Sequence, residues 1–418
     1  MAPEVVRVTD EQELERVIDL CAKVFSAYYE NVEHWRLVLA TDPGYAPGQN
    51  FVVYADGKPV SNVRLTKRLV RVGTAATTLG FIGDVSSDAN YRGRHYATAC
   101  LEEAICFMRE NGYTLSMLAT GPGTFDFYRK LGWEVALPRY SIKFDPRFIP
   151  EPPDGWEAVV YDVNLLDAVG RMYDRENWAR TFSVVRDIPY WKGQLAFSLA
   201  VPARGPFGFL KEDPAGFIVL LDAHSQPRAY VRSKTDGERL AILEVAAENR
   251  PATLALLWHL CRRFQQARTV TSDCPLDSFV ASIAVRELDG ECALSRSARM
   301  VHIVDLPRLF SDIAQTFQER LARCPVPPGA VWLETDLAGS AGIEWDGEEV
   351  ATLDKPTAGC PRLHLPSLKL SGLITGYRPV AEVLEQAGLL GSVSTEALAM
   401  LDALFPHEYA HMWELDTA

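Results

Sequence analysis

Behind Asp10, apolar residues recur at Leu14, Val17, Ile18, Cys21, Phe25 and Tyr28, a spacing that predicts one or two helices over residues 10–40 with Asp10 as N-cap. FVVYADGKPVSNVRLTKRLVRV then sets two strand-like runs around Asp56-Gly57, a dipeptide suited to the left-handed turn of a hairpin. TTLGFIGDVSS has the nearly continuous apolar character of a buried strand. In ATACLEEAICFMRENG the apolar positions 97, 100, 101, 104, 105 and 108 share one helical face, and Asn111-Gly112 supplies a stop. YTLSMLAT predicts another strand, and TFDFYRKLGWEVA a short helix, a turn and a last strand.

The four prolines of FDPRFIPEPPDG mark a linker. A second α/β stretch follows, with strands in FGFLKEDPAGFIVLLDA and PRAYVRSKTDGERLAILEVAAE and a helix opening at Pro251, a favourable first-turn position. From Met300 a strand runs into one long helix, MVHIVDLPRLFSDIAQTFQERLARC, before strands in AVWLETD, AGIEWDG and EVATLDK and helices in the last 40 residues. The pattern divides the chain at 1–150, 151–299 and 300–418, each part of mixed α/β type. A length of 418 residues agrees, because it exceeds what one hydrophobic core supports.

A net charge of −13 opposes broad attraction to nucleic-acid phosphates or anionic lipid, so neither is expected as a partner. Cys21, Cys100, Cys106, Cys261, Cys274, Cys292, Cys324 and Cys360 form no CxxC pair, and several sit in apolar helical patterns, as reduced thiols do. With a charged N-terminus and no apolar run near the ~18 residues of a membrane span, the chain reads as cytoplasmic.

Chemistry concentrates in GFIGDVSSDANYRGRHYATACLEEA. Arg92, Gly93, Arg94, His95, Tyr96, Ala97 and Thr98 open a helix directly after a strand, where free N–H groups and the helix dipole favour a pyrophosphate. The same residues also read as a solvated basic turn. Downstream, Tyr128 in TFDFYRKLGWE is placed either to donate a phenolic proton or simply to pack.

Taken in order, RGRHYA and FYRKLGW resemble the GNAT acetyltransferase superfamily, with its acetyl-CoA loop Q/R-x-x-G-x-G/A and its later motif close to FYxKxGF. The likeness covers about the first 150 residues. The three-part layout narrows it to the enhanced-intracellular-survival (Eis) family, which has a catalytic GNAT unit, a degenerate second GNAT-like unit and a sterol-carrier-like C-terminal unit. The second unit carries Pro251 and Ala252 where a cofactor loop needs Arg and Gly.

The resemblance implies direct attack by a primary amine, on a small molecule or a peptide lysine, on the thioester of acetyl-CoA. Amides of Val85, Ser86 and Ser87 would hold the thioester carbonyl and pantetheine arm, those of residues 92–98 the pyrophosphate, and Tyr128 would protonate the leaving thiolate. Phe25 and Trp35 would line the amine pocket, although both read equally as core aromatics. The resemblance further implies a homo-oligomer, a hexamer in the family, and no metal. The family's base is the C-terminal carboxylate. Here five residues follow Trp413, which leaves Glu414 and the Ala418 carboxylate both open. His95 departs from the pattern by standing where a glycine is usual, and it keeps its N–H available if its φ is helical.

Two alternatives follow from other features. A protein that binds acyl-CoA or an apolar ligand without efficient turnover is favoured by His95. A zinc site is suggested by His407-Glu408-Tyr409-Ala410-His411, which matches HExxH and needs both imidazoles on one helical face, but Pro406 and the few residues after it leave no third ligand.

Overall fold

The computed structural model describes residues 3–25, 32–202 and 208–417. The chain begins with β1 (Val5–Val8), α1 (Glu11–Val24) and α2 (Glu33–Thr41), and continues through β2 (Asn50–Ala55), β3 (Lys58–Val72) and β4 (Ala75–Ser87). Asp10 caps α1 as predicted, accepting from the N–H of Gln12 and Glu13 at 2.9 and 3.0 Å. Asp56 and Gly57 take φ of 50° and 69° and join β2 to β3. After β4 come α3 (Tyr96–Glu110), β5 (Leu115–Thr120), α4 (Phe125–Arg129) and β6 (Glu134–Leu137).

A second set repeats this order. It comprises β7 (Tyr140–Phe144), β8 (Glu157–Val160), α5 (Leu166–Asn177), α6 (Ile188–Ala200), β9 (Ile218–Leu221), β10 (Pro227–Thr235), β11 (Arg239–Ala247), α7 (Arg250–Arg263), β12 (Thr269–Asp273), α8 (Phe279–Glu287) and β13 (Glu291–Leu294). Next, β14 (Ala298–Ile303) leads into α9 (Leu306–Asp312) and α10 (Ala314–Ala322). Two helices therefore stand where one long helix was expected. The join is held from outside, since Asp312 accepts a 2.6 Å bond from Thr77 and Thr316 donates one of 2.6 Å to the Val72 carbonyl. The chain ends with β15 (Gly329–Glu334), β16 (Ser340–Trp345), β17 (Val350–Leu353), β18 (Arg362–His364), α11 (Ser367–Ile374), α12 (Val380–Gln386) and α13 (Thr395–Leu404).

These strands form three mixed sheets, the α/β class expected. The first is ordered β1-β2-β3-β4-β5-β14-β6 and the second, read from its far edge, β8-β9-β10-β11-β12-β7-β13. The two are the same sheet with one strand exchanged. β7 follows β6 in sequence yet pairs with β12 and β13, whereas β14 follows β13 yet lies between β5 and β6. The second sheet is thus built from the contiguous strands β7 to β13, whereas the first is completed by β14, which follows the whole second set.

In the first set, α3 covers one face of its sheet through Cys100, Leu101, Ala104, Ile105 and Met108. The other face, at Val70, Val72, Leu79, Phe81, Leu115 and Met117, shares a core with α9 to α13 and the third sheet. The second set has its own core, which also takes in Trp413 from the C-terminal segment. No helix among the described residues is long and apolar enough to cross a membrane.

Candidate active site

Parallel pairing of β4 with β5 ends at Ile82 and Leu118, so the last five residues of β4 run on without a partner on that side. On the other side the register with β3 slips between Asn62 and Arg64, setting Asp84 and Val85 against Val63 alone. Asp84 has a φ of 51°, so this is a bulge that turns the strand and interrupts the ladder, which resumes at Ser86 and Ser87. Of the predicted thioester residues, Val85 lies in the bulge and packs against the same apolar cluster as Tyr128. Ser86 points the opposite way, toward α1, with its Oγ 3.6 Å from Cys21 Sγ. Ser87 pairs its hydroxyl with that of Ser61 at 2.9 Å.

Beyond β4, Asp88 caps a single 3₁₀ turn and pairs with Lys23 at 2.6 Å. Arg92 is extended and Gly93 has a φ of 76°, so α3 starts at Tyr96, four residues after the predicted start at Arg92. His95 is the N-cap, with φ 61° and ψ 20°. Its conformation is left-handed, so the condition of a helical φ is not met, and such a conformation costs a non-glycine residue roughly 1–2 kcal/mol. That explains why glycine is usual there. The His95 carbonyl accepts from Ala99, while the N–H groups of Tyr96, Ala97 and Thr98 begin the helix with no earlier turn to bond to. Arg92, Gly93, Arg94 and His95 are exposed, Arg94 lies 5.1 Å from the Tyr91 ring, and no acidic residue sits in the first turn. The amides and charges fit a pyrophosphate.

Tyr128 is buried edge-on to Phe127 and Trp133, at centroid distances of 5.0 and 6.3 Å. Its hydroxyl has no hydrogen-bond partner among the described residues, and burial alone pushes its pKa up to about 12. The phenol therefore stays protonated near neutral pH. The next glycine, Gly132, has a φ of 98° and lies so close to the buried ring of His302 that a Cβ would stand 2.5 Å from Nδ1. His302 in turn contacts the Gly132 carbonyl at 3.0 Å. The motif's glycine is thus set by the strand, β14, that the second set contributes.

Phe25 and Trp35 stack with centroids 6.2 Å apart, Trp35 being buried against Val17, Ile18, Cys21 and Val52. They share a side of the sheet with Ser86, separate from the cluster of Val85 and Tyr128. Glu414 is clamped by Arg299 at 2.7 Å and Arg139 at 2.9 Å, so its carboxylate is already engaged. Ala418 lies outside the described residues.

The HExxH stretch is irregular, not helical, so its imidazoles do not share a helix face. His407 meets the Gly376 carbonyl at 2.8 Å, Glu408 pairs with Arg320 and Thr181, and His411 is buried beside Trp413. No group of three metal-ligating side chains occurs among the described residues.

A buried charge chain went unread in the sequence. Arg64 donates to Asp84 at 2.7 Å and Arg68 binds Asp42 twice, at 2.8 and 2.9 Å. The Arg68 Nε also reaches the Asp416 carbonyl at 3.1 Å. The only signal was a lone Asp inside the apolar run GFIGDVSS.

Residues 5–136 match the family model for the acetyltransferase (GNAT) domain. The first set of elements is an acetyltransferase domain. Over the full length, the fold is shared with a probable N-acyltransferase from Enterococcus faecalis, 17% identical across 97% of each chain at a TM-score of 0.75. It is also shared with a GCN5-related N-acetyltransferase from Anabaena variabilis, 16% identical across 98% of each chain at 0.74. Eis1 from Mycobacterium abscessus matches across 96% of this chain and 97% of its own, at 16% identity and 0.65. No curated protein sequence matches. The acetyltransferase domain places the chain among acyl-transferring enzymes.

Proposed function

We propose that the protein is an acetyl-CoA-dependent N-acetyltransferase of Eis-like organisation. Residues 1–150 supply the chemistry, 151–299 form a degenerate second GNAT-like unit, and 300–418 form a sterol-carrier-like unit. The observation that carries this reading is the bulged end of β4, unpaired on the β5 side, leading to the exposed first turn of α3, with Tyr128 in the same apolar cluster as Val85.

The acceptor is a primary amine on a small molecule or a peptide lysine. Its lone pair attacks the thioester carbon with no covalent enzyme intermediate. N–H groups at Val85, Ser86 and Ser87 are the donors to the oxyanion and the pantetheine arm. The first-turn amides of α3, with Arg92 and Arg94, hold the pyrophosphate. Collapse expels the CoA thiolate, and the Tyr128 phenol gives it a proton. Glu414 is held by two guanidinium groups, which counts against it as the base that takes the amine proton. A cytoplasmic homo-oligomer belongs to the same reading.

The test is steady-state release of CoA thiol from acetyl-CoA against a panel of primary amines, together with thermal unfolding at millimolar acetyl-CoA. Amine-dependent release and a rise in Tm support the reading. A rise in Tm with no release by any amine would favour the CoA-binding alternative, and no rise at all would overturn the cofactor site.

A further inference from the structure

The two equivalent sheets put a carboxylate at the same place. Asp84 stands two residues beyond Ile82, where β4 parts from β5, and Glu244 stands two residues beyond Ile242, where β11 parts from β12. Each is at a register slip, and each has an arginine of the preceding strand beside it, Arg64 at 2.7 Å and Arg232 at 3.8 Å.

Glu244 holds a cation. Arg186 comes from the connection between α5 and α6 and meets Glu244 at 3.1 and 2.5 Å, both side chains being wholly buried. Its guanidinium carbon lies 3.9 Å from the ring centre of Tyr173, on α5, and 4.4 Å from that of Trp191, on α6. Carboxylate and aromatic faces together make a strong cation site.

The corresponding connection in the acetyltransferase domain runs between α1 and α2. Its sequence, SAYYENV at 26–32, contains no arginine or lysine. Asp84 meets Arg64 through Oδ2 only, and its Oδ1 has no hydrogen-bond partner among the described residues. Unlike Glu244, Asp84 is partly exposed. Among the described residues the acetyltransferase domain thus keeps the carboxylate and gives it Arg64 alone, without a counterpart to Arg186.

We infer that Asp84 is the specificity-determining residue that binds the positively charged nitrogen of the acceptor, in the role Arg186 fills internally beside Glu244. The inference rests on the proposed acetyl transfer and adds the residue that selects cationic acceptors. Its place one residue before Val85 brings the bound cation next to the amides assigned to the thioester.

Agmatine, which joins a guanidinium to a primary amine, is the probe. Asp84→Asn keeps an acceptor for Arg64 and suits the left-handed backbone, and Asp84→Gly removes the carboxylate while relieving that backbone. Agmatine affinity is measured by calorimetry in the presence of CoA, agmatine KM and kcat by CoA release, and acetyl-CoA Kd by calorimetry. Both variants should raise agmatine Kd and KM at least tenfold, with kcat changed less and acetyl-CoA Kd within twofold of wild type. Variants that bind agmatine within twofold of wild type would overturn the assignment, as would a wild type that binds no agmatine at millimolar concentration. Asp84-dependent binding without CoA release would leave the assignment standing and defeat acetyl transfer, so the two readings fail separately.

Discussion

Arg186 grips the carboxylate of Asp416 with two hydrogen bonds, 3.0 Å from Nε and 2.7 Å from Nη2, where both side chains are wholly buried. Gln194 adds a third at 2.8 Å. Removing Asp416 takes away one of the two carboxylates that Arg186 meets and leaves Glu244 as its counter-charge, so the cost is that of lost charged hydrogen bonds, about 1.5–3 kcal/mol. Asp416→Ala should lower the urea midpoint accordingly. Thr417→Ala, which loses one half-buried bond to the Glu414 carbonyl, should change it far less.

Tyr128→Phe keeps the ring among Phe127 and Trp133 and deletes only a hydroxyl that has no hydrogen-bond partner among the described residues. Stability and acetyl-CoA affinity should hold while kcat falls by about 10²–10⁴, the usual worth of a general acid. Turnover within threefold of wild type would make Tyr128 a packing residue.

His95→Gly relieves a left-handed φ of 61°. The gain is about 1 kcal/mol, read as a rise in unfolding midpoint, with CoA binding kept or tightened. A tenfold loss of CoA affinity would instead show the imidazole touching the cofactor.

His302 is buried and its pKa is lowered to about 4, desolvation being the main cause. The unfolded chain, titrating near 6.5, then binds the proton more readily than the folded one. Stability from this group is therefore complete above pH 6.5 and lost as pH falls toward 4, with a slope of up to about 1.4 kcal/mol per pH unit. Denaturant titrations at stepped pH should show a shallower acid fall for His302→Gln, whose amide can still donate to the Gly132 carbonyl.

Local chemistry was legible before any coordinates. The Asp10 cap, the Asp56-Gly57 turn, the amphipathic run of α3 and the joint RGRHYA and FYRKLGW motifs each depend on neighbours within a few residues. What stayed hidden depends on distant partners. The strand at Tyr140–Phe144 was not read from the sequence, and the one expected from Met300 carries no local sign of the sheet that receives it. Spacing suggested a helix through the HExxH residues, yet His411 donates its N–H to the Thr181 carbonyl and the segment forms no helix. The exact start of α3 turned on the two left-handed residues Gly93 and His95, which a motif pattern does not locate.

The strand exchange has a consequence for biosynthesis. The slot between β5 and β6 is filled by β14, so the acetyltransferase sheet, emerging first from the ribosome, waits for a segment more than a hundred and fifty residues behind it. At about 5–20 residues per second that is a delay of roughly 10–30 s. Throughout it the unpaired edges of β5 and β6 are exposed to chaperones or to a neighbouring nascent chain. The second sheet has all its strands by residue 294 whereas the acetyltransferase sheet does not, so a premature stop before residue 298 should leave no working catalytic half.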